Sequence, residues 1–173
     1  YLNSNEKVIY ADKYTEDVND LKMDLEKVEI FNGSKFKNVL LFNVLEHVYN
    51  FKNCLKNCYL ILDKDGFFYG LVPFFFRIHG SPNDYFRYTD QSIIKALKEI
   101  GFKEIKVKII GGGIFMSFYS SFSLITNKIP FLNLLLFNNF LLIFCQILDG
   151  IISLFSKNIK SMLPLGYFFE GRK

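Results

Sequence analysis

The residues best suited to chemistry gather in a few places along the chain. His47 and His79 are its two histidines. Each follows a short apolar run, Val39-Leu40-Leu41-Phe42 for the first and residues 67–72 for the second. Glu46, Arg77, Asp84 and Arg87 stand close to them, Asn43 follows the first run, and Asp12 and Asp24 end two earlier short runs. A neutral imidazole near pH 7 can take a proton from a hydroxyl, which makes His79 a candidate base. The other reading is a loop histidine pinned by Asp84 or by a backbone carbonyl. Glu46-His47 could contact a charged ligand, or simply open a helix and hold its loop. Arg77, Asp84 and Arg87 suit an ion-pair cluster that fixes residues 77–89, or an arginine site for an acidic sugar. Tyr85, Phe86 and Tyr88 line a pocket or pack that loop. A carboxylate at a strand end, such as Asp12, can accept two hydrogen bonds from vicinal ribose hydroxyls. Asp24, one strand further out, could reach an adenine amino group. Either acid could equally cap a helix or be solvated.

These side chains need elements to position them. Residues 7–11 read as a short strand ending at Asp12, and 21–25 as a second ending at Asp24. The continuous run within 36–42 has the pattern of a strand covered on both faces. Within 50–62, Phe51, Leu55, Cys58, Tyr59 and Leu62 recur at helical spacing. Asp65-Gly66 signals a turn, and 67–72 is the next buried strand, closed by Pro73. Thr89 or Asp90 caps a helix bearing Ile93, Ile94, Leu97 and Ile100, and Gly101 suits its end. Residues 104–110 alternate as a strand until Gly111-Gly112-Gly113 breaks it, and 165–172 form a last candidate. Strands alternating with helices predict an α/β domain with a largely parallel sheet. Ligand sites in such sheets lie beyond the carboxyl ends of the strands. If the strands before His47 and His79 are neighbours, both imidazoles face one crevice.

Composition narrows the class. With 173 residues the chain is one domain's worth, and half its residues are apolar, which excludes wholesale disorder. The net charge of +4 comes from 21 Lys and Arg scattered among 17 acids, so no basic block marks a nucleic-acid surface. Three cysteines without a C-x-x-C pair argue against a disulfide scaffold or a structural zinc site, and fit a reducing, cytoplasmic compartment. Cys54 and Cys58, four apart in a helical pattern, read as small core residues. No signal peptide is visible at the start, which is Tyr1.

Three segments carry a resemblance. Residues 36–48, FKNVLLFNVLEHV, resemble the "FDvV…VLEHV" segment of class I methyltransferases that use S-adenosylmethionine. Residues 58–68, CYLILDKDGFF, are similar to that family's "RvLKPGG" turn and next strand. Residues 73–89, PFFFRIHGSPNDYFRYT, resemble a longer string in one subgroup, and this match is the most specific. The resemblance covers about residues 8–110, with 164–173 like the closing strand. It implies a Rossmann-like, mostly parallel sheet with an antiparallel last strand, and methyl transfer to a small-molecule, glycan or lipid-linked acceptor. Asp12 would hold the ribose, Asp24 and Leu25 would lie beside the adenine, and Asn43 would line the cofactor site. From the residues' own chemistry, and not from the resemblance, His79 is expected to be catalytic, with His47, Arg77, Asp84, Tyr85 and Arg87 facing the acceptor. Some relatives bind a divalent metal beside Glu-His with an acid three residues earlier; Asn43 occupies that position here, so no metal is expected. Lys37 replaces the usual Asp, a surface change. The glycine-rich "GxGxG" turn that follows the family's first strand has no counterpart, so the first βα unit is missing. Either it lies upstream of Tyr1, the reading favoured here, or the chain is a truncated, non-catalytic binding or scaffold remnant.

Before the last strand the chain is strongly apolar. Residues 114–163 are expected to form a helical insertion or lid within the single domain 1–173. In 129–155, Asn139, Gln146, Asp149 and Ser153 recur at helical spacings and share one face, which predicts an amphipathic helix. Such a helix caps the domain or lies on a membrane surface; a true span is the remaining alternative.

Overall fold

A computed structural model describes residues 8–12, 16–17, 21–27, 35–80, 83–126, 128, 135–156 and 158–173. Its main body is a four-stranded sheet in the order β3-β4-β6-β5. The strands are β3 (Phe36–Phe42), β4 (Leu62–Pro73), β5 (Lys103–Gly112) and β6 (Pro164–Arg172). β3 runs parallel to β4, with Val39 opposite Phe68, while β6 is antiparallel to both β4 and β5. This is the Rossmann-like α/β arrangement with an antiparallel last strand that the sequence predicts.

The first two strands are shorter than expected. β1 (Ala11–Asp12) and β2 (Leu21–Lys22) form a separate two-stranded parallel pair. Val8, Ile9 and Tyr10 are exposed and outside the strand, because no described element covers them. The Asp65-Gly66 turn also proves different. β4 already begins at Leu62, and Asp65 takes a left-handed backbone (φ 62°) within it. The pairing with β3 shifts register between Phe36 and Asn38, so the expected turn is an irregularity inside one strand.

Helices α1 (Phe51–Ile61) and α2 (Asp90–Ile100) supply the core. Cys54, Leu55 and Cys58 from α1 and Ile93 and Leu97 from α2 pack with Phe68, Val72, Phe102 and Phe169 in one buried cluster. A hydrogen bond with Cys58, reinforced by burial, pushes the Cys54 thiol up, so this pair is inert packing as expected. α2 begins where the Thr89 hydroxyl accepts the Ser92 N–H at 3.2 Å and ends at left-handed Gly101. α1 has no cap of its own. Glu26, from the turn after β2, fixes the chain entering α1 by accepting the N–H groups of Tyr49 (2.8 Å) and Asn50 (3.3 Å).

The expectation that β3 is covered on both faces fails. Leu40 and Phe42 are 51% and 46% exposed, and only Leu41 is buried. In β4 the face carrying Phe68, Gly70 and Val72 is buried, while Phe67 is exposed and Tyr69 and Leu71 are half-buried. The residues packed on the buried face come from α1 and α2, and the other face carries the stacked rings of Phe67, Tyr69 and Phe168. Gly70 is opposite Phe169 across the β4–β6 pairing, and the Phe169 ring occupies the space that a side chain at Gly70 would need.

Between β5 and β6 lie α3 (Ile114–Thr126), α4 (Leu135–Phe155) and the short α5 (Ile159–Met162). Asp149 of α4 is buried and accepts the Phe115 and Met116 N–H groups at 3.1 and 2.8 Å, which caps α3 from outside. Gly113 makes that approach possible, since a β-carbon there would collide with the Asp149 carboxylate. The predicted polar face is therefore split: Asp149 points inward, while Asn139 and Gln146 are exposed. The outward side of α4 is apolar, with Phe140 67% and Leu154 79% exposed alongside Ile143, Phe144, Ile147 and Ile151.

Candidate active site

The parallel pairing of β3 and β4 brings their carboxyl ends side by side, and the segments leaving them meet. At the end of β3, the Asn43 N–H bonds Leu71 O at 2.9 Å while Asn43 adopts a left-handed backbone (φ 52°). A 3-10 turn, Leu45–His47, follows. The segment after β4 docks on this turn through two bonds: Tyr85 N–H to Glu46 O at 2.8 Å, and Tyr88 Oη–H to Leu45 O at 3.1 Å. The His47 and His79 rings consequently meet edge to face, with centroids 5.0 Å apart. The single crevice expected for the two imidazoles is present.

The hydrogen bonds around the rings fix their orientation. His47 Nδ1 lies 2.5 Å from Asn83 O, and His79 Nδ1 lies 3.2 Å from Arg77 O and 3.3 Å from Asp84 Oδ2. Their Nε2 atoms approach Glu46 Oε1 at 3.7 and 3.9 Å. Glu46 is fully buried, and neither carboxylate oxygen has a hydrogen-bond partner among the described residues.

Asp84 and Arg87 hold the loop. Arg87 Nη1 and Nη2 donate to Asp84 Oδ1 and Oδ2 at 2.5 and 2.7 Å, a bidentate pair. Asp84 Oδ2 also accepts the His79 N–H at 3.0 Å. Arg87 further donates to the carbonyls of Phe86, Arg77 and Phe76, at 2.9, 3.0 and 3.4 Å. The Arg87 guanidinium holds the Asp84 carboxyl far below the usual carboxylate range, and Asp84 raises Arg87 in turn. Arg77 joins through its carbonyl; its exposed side chain lies against the Phe76 ring, 5.9 Å from the centroid. Tyr85 is exposed and meets Tyr49 edge to face at 5.3 Å. Burial raises the Tyr88 phenol well above its ordinary value.

A cavity of about 260 Å³ opens beyond the strand ends, lined by Asn43, Leu71, Phe76, His79, Gly111 and Leu165 among others. Asn43 and His79 thus share one wall. Asp24 and Leu25 do not line it. Asp24 accepts the Glu26 N–H at 3.1 Å and faces Lys27 at 3.8 Å, while Leu25 packs on the core and its carbonyl accepts from Asn57 at 3.2 Å. Asp12 closes β1, but its side chain lies outside the described residues. The sequence reading missed Glu26 and Asn57 as ties between the 24–27 turn and α1, because both act on partners more than 20 residues away. A cavity of this size is below the range of about 300–1,000 Å³ usual for ligand sites.

No protein-family model matches the chain, and no curated protein matches it. Solved structures do match. A SAM-dependent methyltransferase from Archaeoglobus fulgidus superposes with a TM-score of 0.56 at 13% identity, over 95% of this chain and 75% of that one. An S-adenosylmethionine-dependent methyltransferase from Mesorhizobium loti gives 0.54 at 13% identity, over 95% and 79%. Phosphoethanolamine N-methyltransferase 2 of Haemonchus contortus, in complex with phosphomonomethylethanolamine and S-adenosylhomocysteine, gives 0.50 at 14%, over 91% and 38%. The chain has the fold of S-adenosylmethionine-dependent methyltransferases.

Proposed function

We propose that the protein transfers a methyl group from S-adenosylmethionine to an acceptor bound at the crevice beyond β3 and β4. The observation that carries this reading is the superposition of nearly the whole chain on methyltransferase structures, with a cavity at the strand ends where such sheets bind ligands. Asn43, which lines the cavity, is assigned to the cofactor side together with Asp12; the resemblance adds Asp24 and Leu25 at the adenine end, outside the cavity wall. His79 is assigned to the acceptor side as the catalytic residue, with His47, Arg77 and Tyr85 beside it. Asp84 and Arg87 position that loop. The cofactor supplies an electrophilic methyl on sulfur, and the protein's task is alignment of the acceptor atom with it.

The acceptor is a small molecule, a glycan or a lipid-linked precursor, and the outward apolar face of α4 favours the lipid-linked class. Its 18-residue stretch Asn138–Phe155 has a mean hydropathy of 1.6 with 11% of it buried, and exposed Lys128 and Lys160 flank it. We read this as peripheral contact of a cytoplasmic protein with a membrane surface. The three free, buried cysteines suit that compartment.

Calorimetric titration with S-adenosylmethionine tests the cofactor assignment. Asp12→Ala is expected to lose the equivalent of a charge-assisted hydrogen bond, about 1.5–3 kcal/mol. His79→Ala is expected to leave cofactor affinity unchanged and to slow transfer of labelled methyl to lipid extract by about 10²–10⁴. A well-folded protein that binds no cofactor and labels nothing overturns the enzyme reading. It would favour a non-catalytic binding domain, the second reading.

A further inference from the structure

We propose that Glu46, His47 and His79 form a binding site for one divalent transition-metal ion of the zinc type. One donor atom from each lies within 4.8 Å of the other two. The expectation of no metal rested on Asn43 standing where an acid would be needed. The structure supplies the third donor from elsewhere, because His79 arrives from the loop after β4.

Two independent observations point to a cation. The first is Glu46 itself, a wholly buried side chain whose two oxygens have no hydrogen-bond donor among the described residues. A buried carboxylate in that state is costly unless a positive charge meets it. The second is the way the rings are held. Asn83 O, Arg77 O and the Asp84 carboxylate can only accept, so both Nδ1 atoms carry the proton. That leaves each Nε2 facing Glu46 Oε1. Two imidazole nitrogens and a buried carboxylate oxygen converge on one place, the arrangement of a cation site. The outer contacts of metal-binding histidines have this form: a carbonyl or carboxylate on Nδ1 fixes the tautomer and leaves Nε2 to ligate.

The spacing agrees. Donors about 2.0–2.1 Å from a tetrahedral ion are about 3.3 Å apart. The two distances to Glu46 Oε1, 3.7 and 3.9 Å, are a few tenths wider, and all three donors lie within 4.8 Å of one another, so the rings must move inward to close on an ion. Two imidazoles and one carboxylate favour zinc, iron or cobalt over magnesium or calcium, which prefer all-oxygen sites. The side chains of His47 and His79 are 21% and 31% exposed, so further coordination positions are reachable from outside. His79 also borders the cavity. If methyl transfer to a hydroxyl occurs there, such an ion would bind the acceptor oxygen and lower its pKa, the proton leaving to solvent and the oxygen keeping a lone pair for attack on the methyl group. The binding site itself does not depend on that reading.

The test is a zinc titration of the intact protein after chelator treatment, without cofactor or acceptor, followed by calorimetry and by NMR of the imidazole nitrogens. One Zn²⁺ per chain is expected, with both Nε2 resonances shifting; the chain's two histidines make the spectrum unambiguous. Loss of an outer partner alone typically costs 10–100-fold in affinity. Removal of a ligand in Glu46→Gln or His47→Ala should therefore weaken binding by at least about 100-fold. Zinc binding that leaves either Nε2 unshifted, that survives these substitutions, or that is absent overturns the proposal. If Glu46→Gln fails to fold, the nitrogen shifts of the unsubstituted protein decide alone. Cofactor titration of the metal-free protein is scored separately, so failure of the methyltransferase reading and failure of the metal site are distinguishable.

Discussion

Replacing Asp84 by Asn should destabilise the protein by about 3 kcal/mol, near the low end for breaking a buried ion pair. The side chains of Asp84 and Arg87 are 2% and 23% exposed, so solvent screens the pair little. Asn keeps the volume and one acceptor, which can still receive the His79 N–H. Its NH₂ group, however, faces a guanidinium N–H, donor against donor, and the Arg87 charge is left uncompensated. The low end of the range applies because Arg87 retains carbonyls of Phe86, Arg77 and Phe76. Urea unfolding at neutral pH should show a lower midpoint with an unchanged slope. The pH dependence carries a second signature. The Asp84 carboxyl is held below its ordinary 3.8 in the folded protein. Its contribution is therefore complete above that value and is lost as pH falls further, when the unfolded chain binds a proton that the folded one resists. The gap between the two proteins should narrow below about pH 4. A loss under about 0.5 kcal/mol, the size of an ordinary surface substitution, or a gap constant across the acid range, would refute the role assigned to the pair.

Asp149→Ala should cost about 1–2 kcal/mol by removing the cap of α3, whereas Asp149→Asn should retain most of the stability; equal thermal midpoints for the two variants would contradict the capping role. Flotation with phosphatidylglycerol-containing vesicles should carry the protein upward. Phe144→Asp combined with Leu154→Asp should abolish that association without lowering the thermal midpoint, and unchanged flotation would remove the outer face of α4 from membrane contact.

Some local signals in the chain mark their elements correctly, although the Asp65-Gly66 signal marks an irregularity within β4 and not a turn between elements. Thr89 and Gly101 mark both ends of α2 because capping needs neighbours only a few residues away. The apolar run of 67–72 marks β4, and the two histidines after neighbouring strands mark the crevice. The elements that escaped depend on distant partners. Nothing near Phe51 shows that the entry to α1 is held by Glu26, and nothing near Leu40 shows that one face of β3 is left open. The Asp84–Arg87 pair is legible as a loop-fixing cluster, but that Arg87 also takes the Arg77 and Phe76 carbonyls, and that Arg77 joins by its carbonyl and not its charge, needs the fold. Asp149 looks solvated by its helical spacing, and only the α3 terminus gives it an inward role.

The fit of Phe169 over Gly70 makes these two positions vary as one. A methyl group at 70 would drive into the ring, and neither the ring nor the backbone of β4 has room to retreat, since Phe169 is also packed on Phe68. Removing the ring alone leaves a hole that glycine cannot fill. Among homologous chains, or in a mutational library, the permitted combinations should therefore be a bare backbone facing a large ring, or a branched side chain facing a small one. The single-step intermediates between those two solutions are both worse than either end, so the pair should persist unless both codons change together.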